Sequence, residues 1–373
     1  MNETTLVKKR LVALDVFRGI TIATMILVNT PGSWAHVYPP LLHSKWAGCT
    51  PTDLVFPFFL FIIGVAMWFS FRKFDHRANP AALRKLARRV LVILAIGWAL
   101  NAFPYVRDYS TFRFMGVLQR IALAYGIASL LCLYLNRKKL LIVSGAILLG
   151  YWLLLWGGGG ADPYGLETNL VRKIDLFVFG PKHVWHGFGI AFDPEGLLST
   201  LPATVSILLG YFTGRIIDGE ASIREAVLKL LLWGTTALAV GVVWNPVFPL
   251  IKGIWTSSYV LYTGGIAMIG LAWCLWLIDV KGIDRWSRPF QVFGMNSLFA
   301  FVLSEFWVLV IIYWVRIPTG AGETTSLYGW LYHHVFEAMA GPLNGSLLFA
   351  LFHVALFWLA LLPLYRKRIY IKI

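Results

Sequence analysis

Apolar residues along this chain gather into ten runs, near 12–29, 54–71, 90–104, 117–135, 140–156, 197–214, 228–244, 259–278, 293–314 and 346–364. Their edges are drawn to about ±2–4 residues. A helix that crosses a bilayer needs roughly 20 mostly apolar residues, so each run reads as a span. The run at 90–104 is short and carries Asn101 and Pro104, which fits a helix lining protein rather than lipid. No long polar stretch interrupts a run, and no soluble domain fits between two of them. The pattern predicts an all-α integral membrane protein of about ten transmembrane helices, forming a single domain over residues 1–373.

Composition supports that pattern. The chain is 58% hydrophobic and 14% charged, with a mean hydropathy of +0.69. Soluble domains run nearer about 45–50% apolar and about a quarter charged, which excludes a soluble and a disordered chain alike. Seventeen Trp and 26 Phe suit aromatic belts at the two interfaces. Three cysteines, two of them (Cys132 and Cys274) within apolar runs, offer no disulfide framework. The basic N-terminus leads into a run holding Asp15 and Arg18 with no small-residue cleavage site. This predicts a first transmembrane helix rather than a removed signal peptide.

The net charge of +15 would raise the question of nucleic acid in a soluble protein. Here it sorts by side. With the N-terminus inside and the chain alternating, 23 of the 33 Lys and Arg fall in inner segments and eight in outer ones. Arg18 and Arg120 lie within spans. The positive-inside rule then puts both termini in the cytoplasm, and the partner of this charge is a lipid bilayer, not nucleic acid. Histidines sort the other way: His36, His43, His183, His186, His333 and His334 fall outside. The long outer segments 30–53, 157–196 and 315–345 exceed ordinary loop lengths, which points the chemistry outward. The run Gly157 to Gly160 has no Gly-Lys-Ser/Thr ending and reads as a joint, not a phosphate loop.

Several positions carry chemistry, each beside a plainer reading. His43, at the outer mouth, has the side chain best matched to proton transfer near neutral pH; the alternative is an interfacial histidine satisfied by water. Thr50-Pro51-Thr52-Asp53 is a helix start with a capping-box spacing, and Asp53 can also orient an imidazole. Asp15 and Arg18 share one face of the first span, as a neutralising pair or as an anchor for an anionic ligand. Arg120, beside Gln119, and Glu305 are intramembrane ionisable groups, either functional or paired with each other. Asp193-Pro194-Glu195-Gly196 reads as a cap at the start of the sixth span or as a receiver for a cationic or hydroxyl-rich substrate. Ser258 and the pair Asn296-Ser297 stand at the mouths of spans eight and nine, as helix starts or as ligand contacts. His183-x-x-His186 and His333-His334 lack a Cys/His cluster around them, so no metal is expected.

Taken in order, these segments form a pattern: Leu14-Asp15-Val-Phe17-Arg18-Gly19, His43-x-x-Trp46-x-Gly48 leading into Asp53-Leu-Val-Phe-Pro57, then Gly116-Val-Leu-Gln119-Arg120. Asp193-Pro-Glu-Gly196, Trp255-Thr-Ser-Ser-Tyr259 and Gly294-Met-Asn-Ser297 follow. The pattern resembles the heparan-α-glucosaminide N-acetyltransferase family, with its bacterial NagX-type members, over residues 10 to 310. The animal enzyme carries a luminal extension before the first shared span. Without it here, the chain resembles the compact bacterial form, expected in an inner membrane with its site mouth facing the periplasm.

The resemblance implies a transmembrane acetyl transfer, from cytoplasmic acetyl-CoA to the amino group of glucosamine or a glucosamine-containing sugar outside. His43 matches the family's active-site histidine and Asn29 an asparagine beside it; with Asp53 they form the candidate catalytic set. A neutral His43 serves as general base or takes the acetyl group itself and passes it on. Asn29 would donate to the developing oxyanion, a role worth about 3 kcal/mol. Arg18, Gln119, Arg120, Asn296 and Ser297 are the candidates for acetyl-CoA, and Trp46, Asp193, Glu195 and Ser258 for the sugar. Ala47 stands where the family motif commonly has Asn, which leaves the acceptor open. The competing functions are an amino-sugar transporter or permease without transferase activity, favoured by Ala47, and an O-acetyltransferase of a cell-surface polysaccharide. The resemblance is also compatible with a homodimer.

Overall fold

The structure is a computed structural model that describes residues 11–103, 109–320 and 323–371. Lys8, Lys9, Arg10, Pro104, Arg107 and Lys372 lie outside the described residues. Among the described residues most of each apolar run is helical. Helix α1 (Val12–Asn29) leads through the outer loop to a 3-10 turn (Pro51–Leu54) that opens α2 (Val55–Phe71). Then come α3 (Pro80–Ala102), α4 (Val117–Tyr134), α5 (Arg137–Gly158) and the short α6 (Leu170–Phe179). Three long helices follow: α7 (Thr200–Gly219), α8 (Ile223–Trp244) and α9 (Ser257–Leu275). Beyond them lie α10 (Arg288–Met295) and α11 (Ser297–Leu309), which ends in a π-helical turn over Val310–Trp314. A hairpin of β1 (Arg316–Gly320) and β2 (Glu323–Ser326) precedes α12 (Leu327–Leu331) and α13 (Ala338–Arg366).

Among the described residues nine helical segments are long and apolar enough to cross a bilayer, the last being Leu327–Arg366. Helix α3 is the tenth long helix. Its 23 residues rise about 34 Å at 1.5 Å each, but Arg84, Lys85, Arg88 and Arg89 occupy its first half and separate it from the nine. Hydropathy alone therefore starts this helix ten residues late. The ninth run is divided: Asn296, with φ −129° and ψ 46°, separates α10 from α11. The sixth begins at Thr200, so Asp193-Pro194-Glu195-Gly196 is a loop ahead of the helix rather than its cap.

Glycine contacts bring the helices close, as in membrane bundles generally. A Cβ added at Gly64 of α2 would lie 1.9 Å from the Ile207 carbonyl oxygen of α7, and one at Gly210 would lie 1.9 Å from that of Phe61. The same closeness joins α1 to α10, where Gly294 faces the Asp15 carbonyl. Inside, Ile22, Leu60, Phe61 and Leu208 are buried. Outside, α5 and α8 expose Leu141, Ile142, Leu153, Leu228, Leu232 and Val243, a surface suited to acyl chains rather than water.

Candidate active site

The loop between α1 and α2 is held along its length by distant parts of the chain. Gly32 and Ser33 donate main-chain N–H groups to Ser346 of α13, at 3.2 and 3.1 Å. Further on, Ala47 and Ile251 form a β-bridge and the Gly48 N–H donates to the Leu250 carbonyl at 2.8 Å. The loop closes in the capping box that starts the 3-10 turn before α2, with Pro51 at its first position. This end of the loop positions Asp53.

Asp53 caps the helix and holds the imidazole with one carboxylate. Its Oδ2 accepts from the Ser44 N–H at 3.0 Å, the Thr50 N–H at 3.0 Å and the Thr50 hydroxyl at 3.1 Å. Its Oδ1 faces His43 Nδ1 at 2.6 Å and Lys252 Nζ at 3.5 Å. Tyr259 of α9 donates its hydroxyl to the Asp53 main-chain carbonyl at 2.6 Å. An ionised carboxylate only accepts, which assigns the proton to Nδ1 and leaves the lone pair on Nε2. The Asp53 side chain is 1% exposed and that of His43 43%, so a buried anion orients an accessible ring.

Lys252 was not among the sequence candidates. Its ammonium lies 3.1 Å from His43 Nδ1, sharing the carboxylate with the ring. Burial lowers its pKa, against the opposing pull of Asp53 and Glu195. The available signal was its isolation in the apolar stretch Pro249-Leu-Ile-Lys252-Gly-Ile. Burial, aided by the Asp53 charge, pushes the thiol of nearby Cys49 up to about 12, which disfavours the thiolate form.

His43 and Lys252 open onto a cavity of about 920 Å³, also lined by Asn29, Gln119, Glu195 and Glu305. That volume is within the range of small-molecule sites, about 300–1,000 Å³. Asn29 and Glu305 interact through their side chains. The Gln119 carboxamide packs against Gly97 and Gly116, and its Nε2 has no hydrogen-bond partner among the described residues. Arg113, a second residue missed in the sequence, forms the adjoining wall. It grips Asp193 through Nε and Nη2 at 2.9 and 2.7 Å and Glu195 at 2.6 Å. Burial acts to lower the pKa of Arg113, but these two carboxylates outweigh it and push it up. The partner of Asp193 is thus an arginine rather than a helix terminus.

The remaining sequence candidates stand apart from the cavity lining. Arg120 is fully buried, donating to the Gly196 carbonyl at 3.2 Å and to the Ser199 hydroxyl, with its guanidinium 5.0 Å from the Trp255 ring. Arg18 bonds Asp15 and the Gly294 carbonyl, both at 3.2 Å, where α1 crosses α10. Asn296 binds the main chain of Ile369 and Ile371, and Ser297 begins α11. Ser258 donates to the Pro249 carbonyl at 3.2 Å. Trp46 donates to the Tyr164 carbonyl at 2.8 Å and meets the rings of Phe188 and Phe192 edge-on.

Among the described residues no three His, Cys, Asp or Glu side chains gather as metal ligands. His183 hydrogen-bonds the Phe112 carbonyl and His333 the Glu337 carboxylate.

Residues 10–240 match the family model described as heparan-alpha-glucosaminide N-acetyltransferase, catalytic. The human heparan-alpha-glucosaminide N-acetyltransferase is 27% identical over 354 residues, covering 79% of this chain and 53% of the human protein. The mouse protein of that name is 26% identical with the same coverage. The chain spans about half the length of the curated relatives it matches.

Proposed function

Because the chain belongs to the heparan-α-glucosaminide N-acetyltransferase catalytic family, whose members use acetyl-CoA, we propose that it transfers acetyl from acetyl-CoA to the amino group of glucosamine or a glucosamine-containing sugar. The observation that carries this reading is the His43–Asp53–Lys252 cluster at the mouth of a large cavity. In the proposed orientation the mouth faces the periplasmic side of a bacterial inner membrane, and residues 1–373 act as one unit.

The reaction follows from His43 Nε2. The acceptor nitrogen attacks the thioester carbonyl, a C–N bond forms, and the N–H proton passes to Nε2. The C–S bond breaks and the departing thiolate takes that proton back. In the relay variant Nε2 itself attacks, the C–S bond breaks to release the thiolate, and acetyl-imidazole forms. The amine then attacks that, the imidazole leaves, and the amine's proton goes to the thiolate. Asp53 supports both by fixing the tautomer and stabilising the positive ring. Asn29 is the cavity residue suited to donate to the oxyanion, and the orphaned Gln119 carboxamide offers a further donor.

Purified protein in nanodiscs with labelled acetyl-CoA and glucosamine should yield N-acetylglucosamine, and His43→Ala should lose at least about 100-fold in kcat. Full turnover in His43→Ala would refute the assignment. Acid quenching with acetyl-CoA alone separates the two routes, since only the relay leaves acetyl on the protein.

A further inference from the structure

Glu305 places a carboxyl within a transmembrane helix, on the wall of the same cavity as His43. It shares its face of α11 with Phe301 and Leu309, one helical turn to either side, and both also line the cavity. Among the described residues no Lys, Arg or His forms an ion pair with it. Its polar neighbour is the Asn29 side chain, a neutral amide. The other acidic groups near the cavity differ: Asp53 has Lys252 and His43, and Asp193 and Glu195 have Arg113. Carboxyl groups within a span ordinarily pair with a cation or mark the path of a ligand.

We propose that Glu305 is the acceptor-recognition residue, its missing counter-charge being the ammonium of the amino sugar. This rests on the transferase reading above and adds to it the group that selects an amine over a hydroxyl. An amino sugar near neutral pH carries its nitrogen largely as ammonium, which cannot attack a thioester. Bound against Glu305, the ammonium passes one N–H proton to the carboxylate, giving neutral amine and carboxylic acid. The free pair then attacks the thioester carbonyl, the second proton goes to His43 Nε2, and coenzyme A departs as the thiol. The proton left on Glu305 returns to water through the cavity. A sugar hydroxyl in the same place offers no positive charge and leaves the carboxylate uncompensated, which opposes O-acetylation.

The test uses the full chain in nanodiscs, with glucosamine and glucose as probes for titration calorimetry and glucosamine alone for turnover. Wild type should bind glucosamine in preference to glucose. Glu305→Gln should shrink that preference, and raise KM for glucosamine, by about tenfold or more. Its kcat should fall less than its KM rises, acetyl-CoA should still bind, and Glu305→Asp should recover part of the preference. Acetyl-CoA binding also shows that the variant is folded. An absent preference in the wild type, or an undiminished one in Glu305→Gln, overturns the inference. The two proposals fail separately: transfer with an unchanged preference removes only the role of Glu305. Glu305-dependent glucosamine binding without transfer removes only the reaction.

Discussion

The Asp53 carboxylate divides its oxygens between the start of a helix and the imidazole of His43. Asp53→Asn keeps an acceptor for the helix start but turns its NH2 toward His43 Nδ1, which favours the tautomer with the proton on Nε2 and removes the lone pair from that atom. We expect kcat to fall by about 10²–10⁴-fold with the protein still folded, by analogy with triads that lose their orienting carboxylate. Radiolabel transfer beside size-exclusion chromatography measures both. Asp175 of α6 behaves differently. Its Oδ1 accepts the Leu197 N–H at 2.8 Å, while Oδ2 has no hydrogen-bond partner among the described residues. Burial, with a smaller push from Asp193, raises it from the ordinary 3.8 to about 7. A raised carboxyl favours the protonated fold, so its contribution is complete below pH 3.8 and is lost as the pH climbs to about 7. Asp175→Asn should therefore raise the melting temperature at pH 8 by about 2–4 °C, for roughly 1 kcal/mol, and change little at pH 4. Thermal unfolding at the two pH values decides. At this scale, His43 and Asp53 were legible because they lie ten residues apart in one loop. Lys252 was not, because its approach to His43 depends on how α8 and α9 are joined.

Helix contacts set where those side chains stand. Gly210→Val would drive a Cβ into the Phe61 carbonyl region and separate α7 from α2, the helix that begins just after Asp53. We expect it to cost about 1–3 kcal/mol, as overpacking does, and to reduce the monodisperse fraction in detergent. A variant as stable as wild type would show that the helices repack without loss. The spans were legible because length and apolarity suffice to name them. Helix α6 and the β1–β2 hairpin were not. Helix α6 has ten residues and buries only Val171 and Asp175, while Phe177 is 91% exposed, so no apolar run announces it. Asp193 looked like a cap because acid-Pro sequences often are, and only the distant Arg113 draws it elsewhere.

Across the whole molecule, the proposed orientation rests on the sorting of Lys and Arg by side. A single cysteine at exposed Trp34, Trp34→Cys in a background with the native cysteines replaced, should react with an impermeant maleimide in spheroplasts. A fluorescent protein fused to the C-terminus should fluoresce in the cytoplasm. Labelling of Trp34→Cys only after permeabilisation would reverse the molecule in the membrane. The chain's two parts also divide the work unevenly. The family match ends at residue 240, yet Lys252, Tyr259, Glu305 and Ser346 complete or brace the site from beyond it. On the proposed roles, the reacting imidazole thus lies within the matched segment and the acceptor's carboxylate beyond it. A chimaera joining residues 1–240 to the last third of a relative would keep its own histidine and aspartate. It would take its lysine, and the cavity wall that carries position 305, from the other parent.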